Sequence, residues 1–289
     1  MTSPPRARAS RLPSLVFAAI ACIVLASATV RAAAPQENED DRAEARTMLN
    51  KGVEAFKSAQ FDDAIADFKR AKELDPSLTN AQLYLATACA SQYIPGDTSQ
   101  KNLQYGGRAV QEFREILDRD PSNLAAIDGI GSILYNMAST PFDPDKMEES
   151  KAYHEKHILL RPDDPEAYYW VGVIDWSIAY RANQNIRNEY NRTSKQAIRP
   201  ADPLPPELAA RFTAGFGQGV DEGISNLKKA IELRSDYDDA MAYLNLLYRQ
   251  KADMQTSSAE RDRYMKMADD LVDQVVATRR KKSAASQPH

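Results

Sequence analysis

Two histidines, His154 and His157, are the side chains whose type and spacing come closest to metal chemistry. Residues at i and i+3 lie on one face of a helix, so both imidazoles could ligate a zinc ion. The zinc-protease pattern, however, has histidines at i and i+4 with a glutamate between them, and no third ligand is apparent. Both histidines also fall on positions that pack neighbouring helices in the repeat described below. The sequence therefore predicts two packing residues and no metal site.

A glycine-rich stretch at residues 215–219 is the second candidate, because glycine-rich loops can hold phosphate groups. Such a loop needs a preceding strand and a lysine at a fixed place, and the pattern here provides neither. We interpret the stretch as a loop or an irregular start of a helix. Serine, histidine and acidic residues do not cluster in any order known from hydrolases. We therefore predict that the chain is not an enzyme and needs no cofactor.

The elements that must position any site recur in a fixed pattern along the chain. Each of four helix-ending turns is followed five residues later by an alanine and ten residues later by a further packing position, which is usually small. A fixed internal pattern indicates a repeat architecture, in which each unit packs on its neighbours. The turns are Asp75-Pro76, Asp120-Pro121, Arg161-Pro162 and Arg234-Ser235; the alanines are Ala81, Ala126, Ala167 and Ala240; the later positions are Ala86, Gly131, Gly172 and Asn245.

The clearest unit spans residues 45–78. Its apolar and small residues recur every three or four positions in both halves, which predicts two amphipathic helices with a break near residues 58–60. A proline follows the second helix, whose hydrogen-bond ladder it cannot continue. The unit resembles the tetratricopeptide repeat, or TPR, which has about 34 residues and a small-residue and aromatic signature of this form. The matching residues are Phe61, Ala64, Phe68, Ala71 and Pro76.

Later units match the family less well and are longer. Successive turns lie 45, 41 and 73 residues apart, and we place the excess over the family's unit between the two helices of each pair, at residues 93–105, 140–145 and 179–219. The resemblance implies an all-α, right-handed TPR-like solenoid of about five helix pairs with inter-helix insertions. It covers residues 43–281, with units at about 45–78, 79–123, 124–164, 165–237 and 238–281.

The densest aromatic run, residues 168–180, contains both tryptophans and falls in the first helix of the fourth unit. Aromatic side chains dominate protein-binding hot spots. In the TPR family the first helix of each unit lines a concave groove. The resemblance assigns to this groove Tyr135, Tyr169, Val173 and Trp176, with Asp128, Asn136 and Arg249 as polar neighbours. The alternative is that the long insertion folds back and buries these rings.

The long insertion is basic in its first half and rich in proline after it. A basic patch on an acidic protein could contact an anionic partner, but such a run is more often a solvated helix face before a turn, and we interpret it so. The basic residues are Arg181, Arg187, Arg192, Lys195 and Arg199.

The N-terminal residues 1–32 have the layout of a secretory signal peptide. Arg6, Arg8 and Arg11 precede an apolar stretch at residues 12–30, and a small-residue cleavage pattern ends at Ala32. An uncleaved anchor is the alternative, because the stretch is close to the roughly 20 residues that span a bilayer. We predict export to the periplasm, a disordered linker at residues 33–42 and a disordered tail at residues 282–289.

Charge and cysteine content narrow the class further. Removal of residues 1–32 leaves 33 basic and 41 acidic residues, a net charge of −8. We expect no nucleic-acid partner, because such proteins neutralise phosphates with basic patches. Cys22 lies in the N-terminal segment, and Cys89 remains alone at a core position of a helix, where cysteine acts as a small apolar filler.

These features predict a non-catalytic scaffold or adaptor for protein–protein interaction in the periplasm or cell envelope, with protein partners bound by the groove and the inserted segments. A membrane-anchored envelope assembly or export factor is the alternative, and membrane contact is expected only if the N-terminal segment stays uncleaved. The segments QYIPGDT and YDDAMAYLNLLYR also resemble exported TPR proteins of soil bacteria. That resemblance implies no biochemical activity.

Overall fold

A computed structural model describes residues 39–285. This part of the chain forms ten α-helices joined by connections and contains no β-strand. The prediction of an all-α solenoid is confirmed. None of the helices in residues 39–285 is long and apolar enough to cross a membrane. The helices are α1 (Glu39–Lys57), α2 (Phe61–Leu74), α3 (Thr79–Gln92), α4 (Gln100–Arg119), α5 (Leu124–Ser139), α6 (Pro144–Leu160), α7 (Pro165–Thr193), α8 (Pro206–Leu233), α9 (Asp238–Asp253) and α10 (Ser258–Ala285).

Consecutive helices pack as five pairs, and each pair packs on the next. First helices of neighbouring pairs also contact one another, as α1 does α3, α3 does α5 and α7 does α9, whereas second helices of neighbouring pairs show no comparable contact. First helices therefore lie on the inner side of the curve. Side chains of the first helices that point away from the second helices therefore line the concave face.

The recurring turn between pairs is built by the residue before the proline. Asp75 is extended, as a residue before proline must be, and its Oδ1 accepts hydrogen bonds from the Ser77 backbone nitrogen and hydroxyl at 3.0 and 2.5 Å. Asp120 repeats the arrangement with Ser122 at 3.1 and 2.7 Å. An aspartate that bonds the backbone two residues on stabilises a tight turn, so the same three residue types end α2 and α4.

Small residues at the later repeat positions allow helices to cross closely. A Cβ atom on Gly131 would lie 2.6 Å from Nε2 of His154, and one on Gly172 would lie 2.4 Å from Cγ of Leu227. Both distances are far below van der Waals contact, so any side chain there would force the pair apart. The small residues at the later repeat positions therefore mark the points where two helices cross.

The segment predicted as the long insertion is mostly helix. The first helix of the fourth pair, α7, continues to Thr193, and α8 begins at Pro206, so only residues 194–205 connect them. Residues 215–219 lie inside α8, and the prediction of a loop or irregular helix start there is wrong. The shorter insertions are a connection at residues 93–99 followed by the first turns of α4, and a connection at residues 140–143.

The two ends of the described chain are more ordered than the sequence predicts. Residues 39–42 belong to α1, where three acidic side chains in the first turn complement the helix dipole. Residues 282–285 belong to α10, and Arg279 and Lys282 each reach Asp238 at the start of α9 at 2.7 Å. The predicted disorder is wrong for these residues; the predicted signal peptide and the rest of the linker and tail lie outside the described residues.

A buried arginine is one of the polar links between the long hairpin of α7 and α8 and the fifth pair. Arg187, only 3% exposed, donates to the carbonyl oxygens of Arg199 and Asp202 at 3.0 Å. It also donates to Oδ1 of Asn183 and Oδ2 of Asp253, both at 2.7 Å. The interpretation of this basic run as a solvated face is wrong for Arg187, which orders the connection and joins it to the end of α9.

Candidate protein-binding groove

Six aromatic rings from the first helices of the third, fourth and fifth pairs form a continuous row, which we call the aromatic row. Each ring lies within 6 Å of the next, mostly edge to face, the geometry that aromatic pairs favour. The centroid distances are 5.4 Å for Tyr135–Trp170, 5.5 Å for Trp170–Tyr169, 5.7 Å for Tyr169–Tyr243, 5.2 Å for Tyr243–Trp176 and 5.2 Å for Trp176–Tyr180.

The row is half-buried and keeps ring surface open to solvent. Tyr180 at one end is 44% exposed, and the remaining rings are intermediate between buried and exposed. Burial raises the pKa of Tyr169 well above its ordinary value, so its hydroxyl stays neutral. The indole nitrogen of Trp176 is buried and finds no hydrogen-bond acceptor among the described residues. Tyr169, Trp176 and Tyr243 pack against a core cluster that includes residues of the extended α7 and α8, but none of the three rings is fully buried.

The structure brings together three of the predicted groove residues, Tyr135, Tyr169 and Trp176. Val173 is only 1% exposed, so the prediction that it contacts a partner is wrong. Val173 lies on the same face of α7 as Tyr169 and Trp176, but its short side chain stays buried between the helices. Long rings at the flanking positions reach past it to the surface.

The predicted polar neighbours occupy different surroundings. Asp128 pairs with His157, whose Nδ1 lies 2.6 Å from the Asp128 carboxylate. Burial raises the pKa of the Asp128 carboxyl, although the contact with His157 opposes the rise. Asn136 is exposed on α5. Arg249 pairs with Asp269 of α10 at 2.7 Å, so it belongs to the junction of α9 and α10.

An acidic pocket of about 140 Å³ adjoins the aromatic row at Trp170. Asp128, Asp164 and Glu166 line it, together with His157. The Glu166 carboxylate accepts a hydrogen bond from the Tyr237 hydroxyl at 2.7 Å, which joins the pocket to the turn before α9. Arg234 also reaches Glu166, at 3.4 Å. Three carboxylates against this one cation, beside an aromatic ring, favour a further basic side chain through charge and cation–π contact.

The histidine pair divides into two structural roles. His154 is buried under Trp170, with ring centroids 5.7 Å apart, and burial lowers its pKa to about 4. His157 contacts Asp128 and also lies 3.4 Å from Asp164. Within residues 39–285 no group of three or more histidine, cysteine, aspartate or glutamate side chains is placed to hold a metal ion.

Sequence reasoning missed Trp170, Tyr243 and Glu166. Trp170 directly follows a predicted groove residue, and the family's groove positions skip it. Tyr243 is likewise one residue beyond the corresponding position of the fifth unit. Aromatic residues beside an expected groove position, rather than at it, were the available cue, because a large ring reaches the groove from the edge of its helix.

The comparisons with known proteins agree with the helical repeat fold. A family model described as the tetratricopeptide repeat matches residues 45–78, the unit that carries the clearest signature. The predicted resemblance of this unit to the tetratricopeptide repeat is confirmed. No curated protein matches the chain in sequence.

Solved structures of low sequence identity share the fold. A structure of MamA from Desulfovibrio magneticus RS-1 is 16% identical, with a TM-score of 0.54 over 82% of this chain and 96% of that one. A second MamA structure is 15% identical, with a TM-score of 0.53 over 85% and 97%. YrrB, described as a TPR protein with an unusual peptide-binding site, is 14% identical with a TM-score of 0.49 over 85% and 95%. The two MamA structures show that this chain has the same fold.

Proposed function

We propose that this TPR chain is a non-catalytic scaffold that captures a segment of a partner protein on its concave face. The aromatic row carries the proposal: six neighbouring rings from three consecutive pairs form one half-open surface. Rings immobilised by packing give large contact area at little cost in conformational entropy, which is why aromatic residues dominate binding hot spots.

The acidic pocket at one end of the aromatic row favours one orientation of the bound segment. A partner segment with apolar side chains along the row and a lysine or arginine at its Trp170 end matches the three carboxylates of Asp128, Asp164 and Glu166. Charge at the rim of an interface mainly sets orientation and association rate. We therefore assign most of the affinity to the rings and the register to the pocket.

A photo-crosslinking amino acid at Tyr180 tests the proposal, with the same substitution at Tyr84 as the matched control. Tyr84 is equally exposed, at 43%, but lies on α3 outside the row. In its native cell, Tyr180 should crosslink to one dominant protein and Tyr84 should not. Equal crosslinking from both positions, or none from Tyr180, contradicts the proposal.

Truncation of the row then measures its share of the affinity. With the crosslinked partner purified, Trp176→Ala should weaken binding by about 30-fold, equivalent to about 2 kcal/mol, while Tyr84→Ala should leave the Kd unchanged. Circular dichroism must show that both variants retain their helix content. An unchanged Kd for folded Trp176→Ala rules out the row as the binding surface.

We further propose that the scaffold works in the periplasm or cell envelope. The basic and apolar pattern of residues 1–32 supports this location. The 19-residue length of the apolar stretch also supports a second candidate, a membrane-anchored assembly or export factor. N-terminal sequencing of the protein from its native cell separates the two, since only the first requires loss of residues 1–32.

A further inference from the structure

A second cavity lies between α6, α7 and α8 and plays no part in the proposed groove. Its volume is about 300 Å³, enough for a small organic molecule. Charged side chains line one part of it and apolar side chains another. The residues that matter here are Glu148, Lys151, Asp175, Ile178, Phe216 and Glu222.

The charged part contains a buried ion pair that is incompletely satisfied. Lys151 Nζ lies 2.7 Å from Oδ1 of Asp175 and 3.1 Å from Glu222. Asp175 is only 4% exposed, and its Oδ2 has no hydrogen-bond partner in the described structure. Glu155 lies 3.9 Å from the same ammonium group, and Glu148 adds a further negative charge near Asp175. Burying such charge is unfavourable unless every group is paired. The cluster therefore lowers the stability of the fold, and packing alone does not explain it.

Two glycines of α8, Gly215 and Gly219, line the cavity. A glycine inside a helix is destabilising relative to alanine, and most of the other helical glycines are explained by close packing. Gly215 and Gly219 are different: a Cβ on the first would meet nothing within 4 Å, and one on the second would meet only Oδ1 of Asp175 at 3.9 Å. Packing does not require either glycine, and at Gly219 the missing side chain leaves space beside Asp175.

We propose that this cavity binds a small organic cation, with an ammonium or guanidinium group at Asp175 and Glu222 and a short apolar stem against Ile178 and Phe216. Lys151 already has three carboxylate partners, Asp175, Glu222 and Glu155, so an added anion would face net negative charge. A cation instead supplies hydrogen-bond donors and offsets the excess of carboxylates. This site is independent of the groove, so either proposal can fail alone.

The state of Asp175 adds a pH dependence. Burial raises the pKa of its carboxyl to about 7, against the opposing effect of Lys151. The charged groups that face it are Lys151 and Glu148 from α6 and Glu222 from α8. A cation favours the ionised carboxylate, so binding should tighten as the pH rises through 7.

Butylguanidinium and butylurea, titrated into the full chain, test the proposal because they share shape and differ in charge. Binding is followed by the NMR shifts of the Gly215 and Gly219 amides. Butylguanidinium should bind in the millimolar range and about tenfold more tightly than butylurea, and Glu222→Gln should remove about tenfold. Equal binding of both compounds, or no shift at these amides with either, overturns the proposal.

Gly219→Leu fills the cavity and should abolish butylguanidinium binding. The matched control is Gly107→Leu on α4, where a Cβ also meets nothing within 4 Å; it should bind like the parent chain. Should Gly219→Leu lose its helix content, Gly215→Leu gives the same test. Retained binding in a folded cavity-filling variant overturns the proposal.

Discussion

The first and fourth helix pairs share one packing plan but differ in length and in what their first helices expose. The first pair has helices of 19 and 14 residues joined by a three-residue turn at 58–60, while the fourth has helices of 29 and 28 residues joined by residues 194–205. Each places a large second-helix side chain, Phe68 or Leu227, against a glycine of the first helix, Gly52 or Gly172. Added length and the exposed face therefore distinguish the units, since their crossings are alike.

The inner faces of the two pairs show what that difference means for function. In α1 the corresponding side chains are Leu49 and Phe56, both partly buried, and the ring of Phe56 packs on Phe61 of the same pair. In α7 they are the rings of Tyr169 and Trp176, which join rings from both neighbouring pairs. The first pair matches the family model and carries no such surface. The unit that departs most from the family contains the candidate site.

The largest expected effect comes from emptying the core of either pair. Phe68→Ala and Phe212→Ala each remove a fully buried ring, and each should lower the free energy of unfolding by about 3–5 kcal/mol. Because solenoid units are stabilised mainly by their neighbours, hydrogen exchange should accelerate first in α1 and α2 for Phe68→Ala and first in α7 and α8 for Phe212→Ala. Uniform acceleration along the chain in both variants would contradict the local character assigned to the pairs.

A smaller effect is expected from titration of His154, which packs the third pair against the fourth. Its pKa is about 4 in the folded chain and 6.5 for an ordinary histidine, so the unfolded chain takes up a proton that the folded chain does not. The stability of the parent relative to His154→Gln should be constant above about pH 6.5 and fall by roughly 3 kcal/mol on going down to about pH 4.

Urea denaturation of both proteins across this range measures the difference. Asp175, whose raised pKa has the opposite effect on stability, is present in both chains and cancels. A stability difference that stays constant between pH 4 and 7 would show that His154 is not held neutral by burial.

The smallest effect concerns the added length of the fourth pair. Arg187→Met should lower the free energy of unfolding by about 2 kcal/mol. Asp253 loses its cationic partner and keeps only the hydrogen bond from Asn183, and two carbonyl oxygens lose their donor. Limited proteolysis should then cut within residues 194–205. Arg249→Met is the matched control: its pair with Asp269 is more exposed, and it should cost less than 1 kcal/mol. Equal costs for the two variants would remove the special role of Arg187.

The sequence was sufficient to predict the architecture because the repeat records packing directly. Ala81, Ala126, Ala167 and Ala240 are all buried, and their spacing from the turns predicts five pairs. Residues 179–219 were harder, because the extension alternates between buried and exposed positions without the family's signature. Charge alone could not separate Arg187, which is buried, from Arg192, which is exposed.

The site was predicted only in part, for a related reason. Periodicity assigns a residue to a helix face, which located Tyr135, Tyr169 and Trp176, but it cannot tell how far a side chain reaches. Val173 is on the expected face and too short, while Trp170 and Tyr243 are at its edge and long enough. Ring-to-ring contact between different pairs depends on the crossing geometry, which the spacing does not contain.

The connection that Arg187 holds has a mechanical consequence. A solenoid deforms like a spring, because each junction between neighbouring pairs can flex slightly. At the junction of the fourth and fifth pairs, Arg187 reaches Asp253, and the Thr213 hydroxyl reaches the carbonyl oxygen of Met254 at 3.2 Å. These bonds come from the part of α7 and α8 that exceeds an ordinary repeat unit, and they stiffen the junction between the fourth and fifth pairs. When the protein is stretched or bent, the junctions between the N-terminal helix pairs should therefore flex most. The fourth and fifth pairs, which carry Trp176 and Tyr243, should keep their relative orientation.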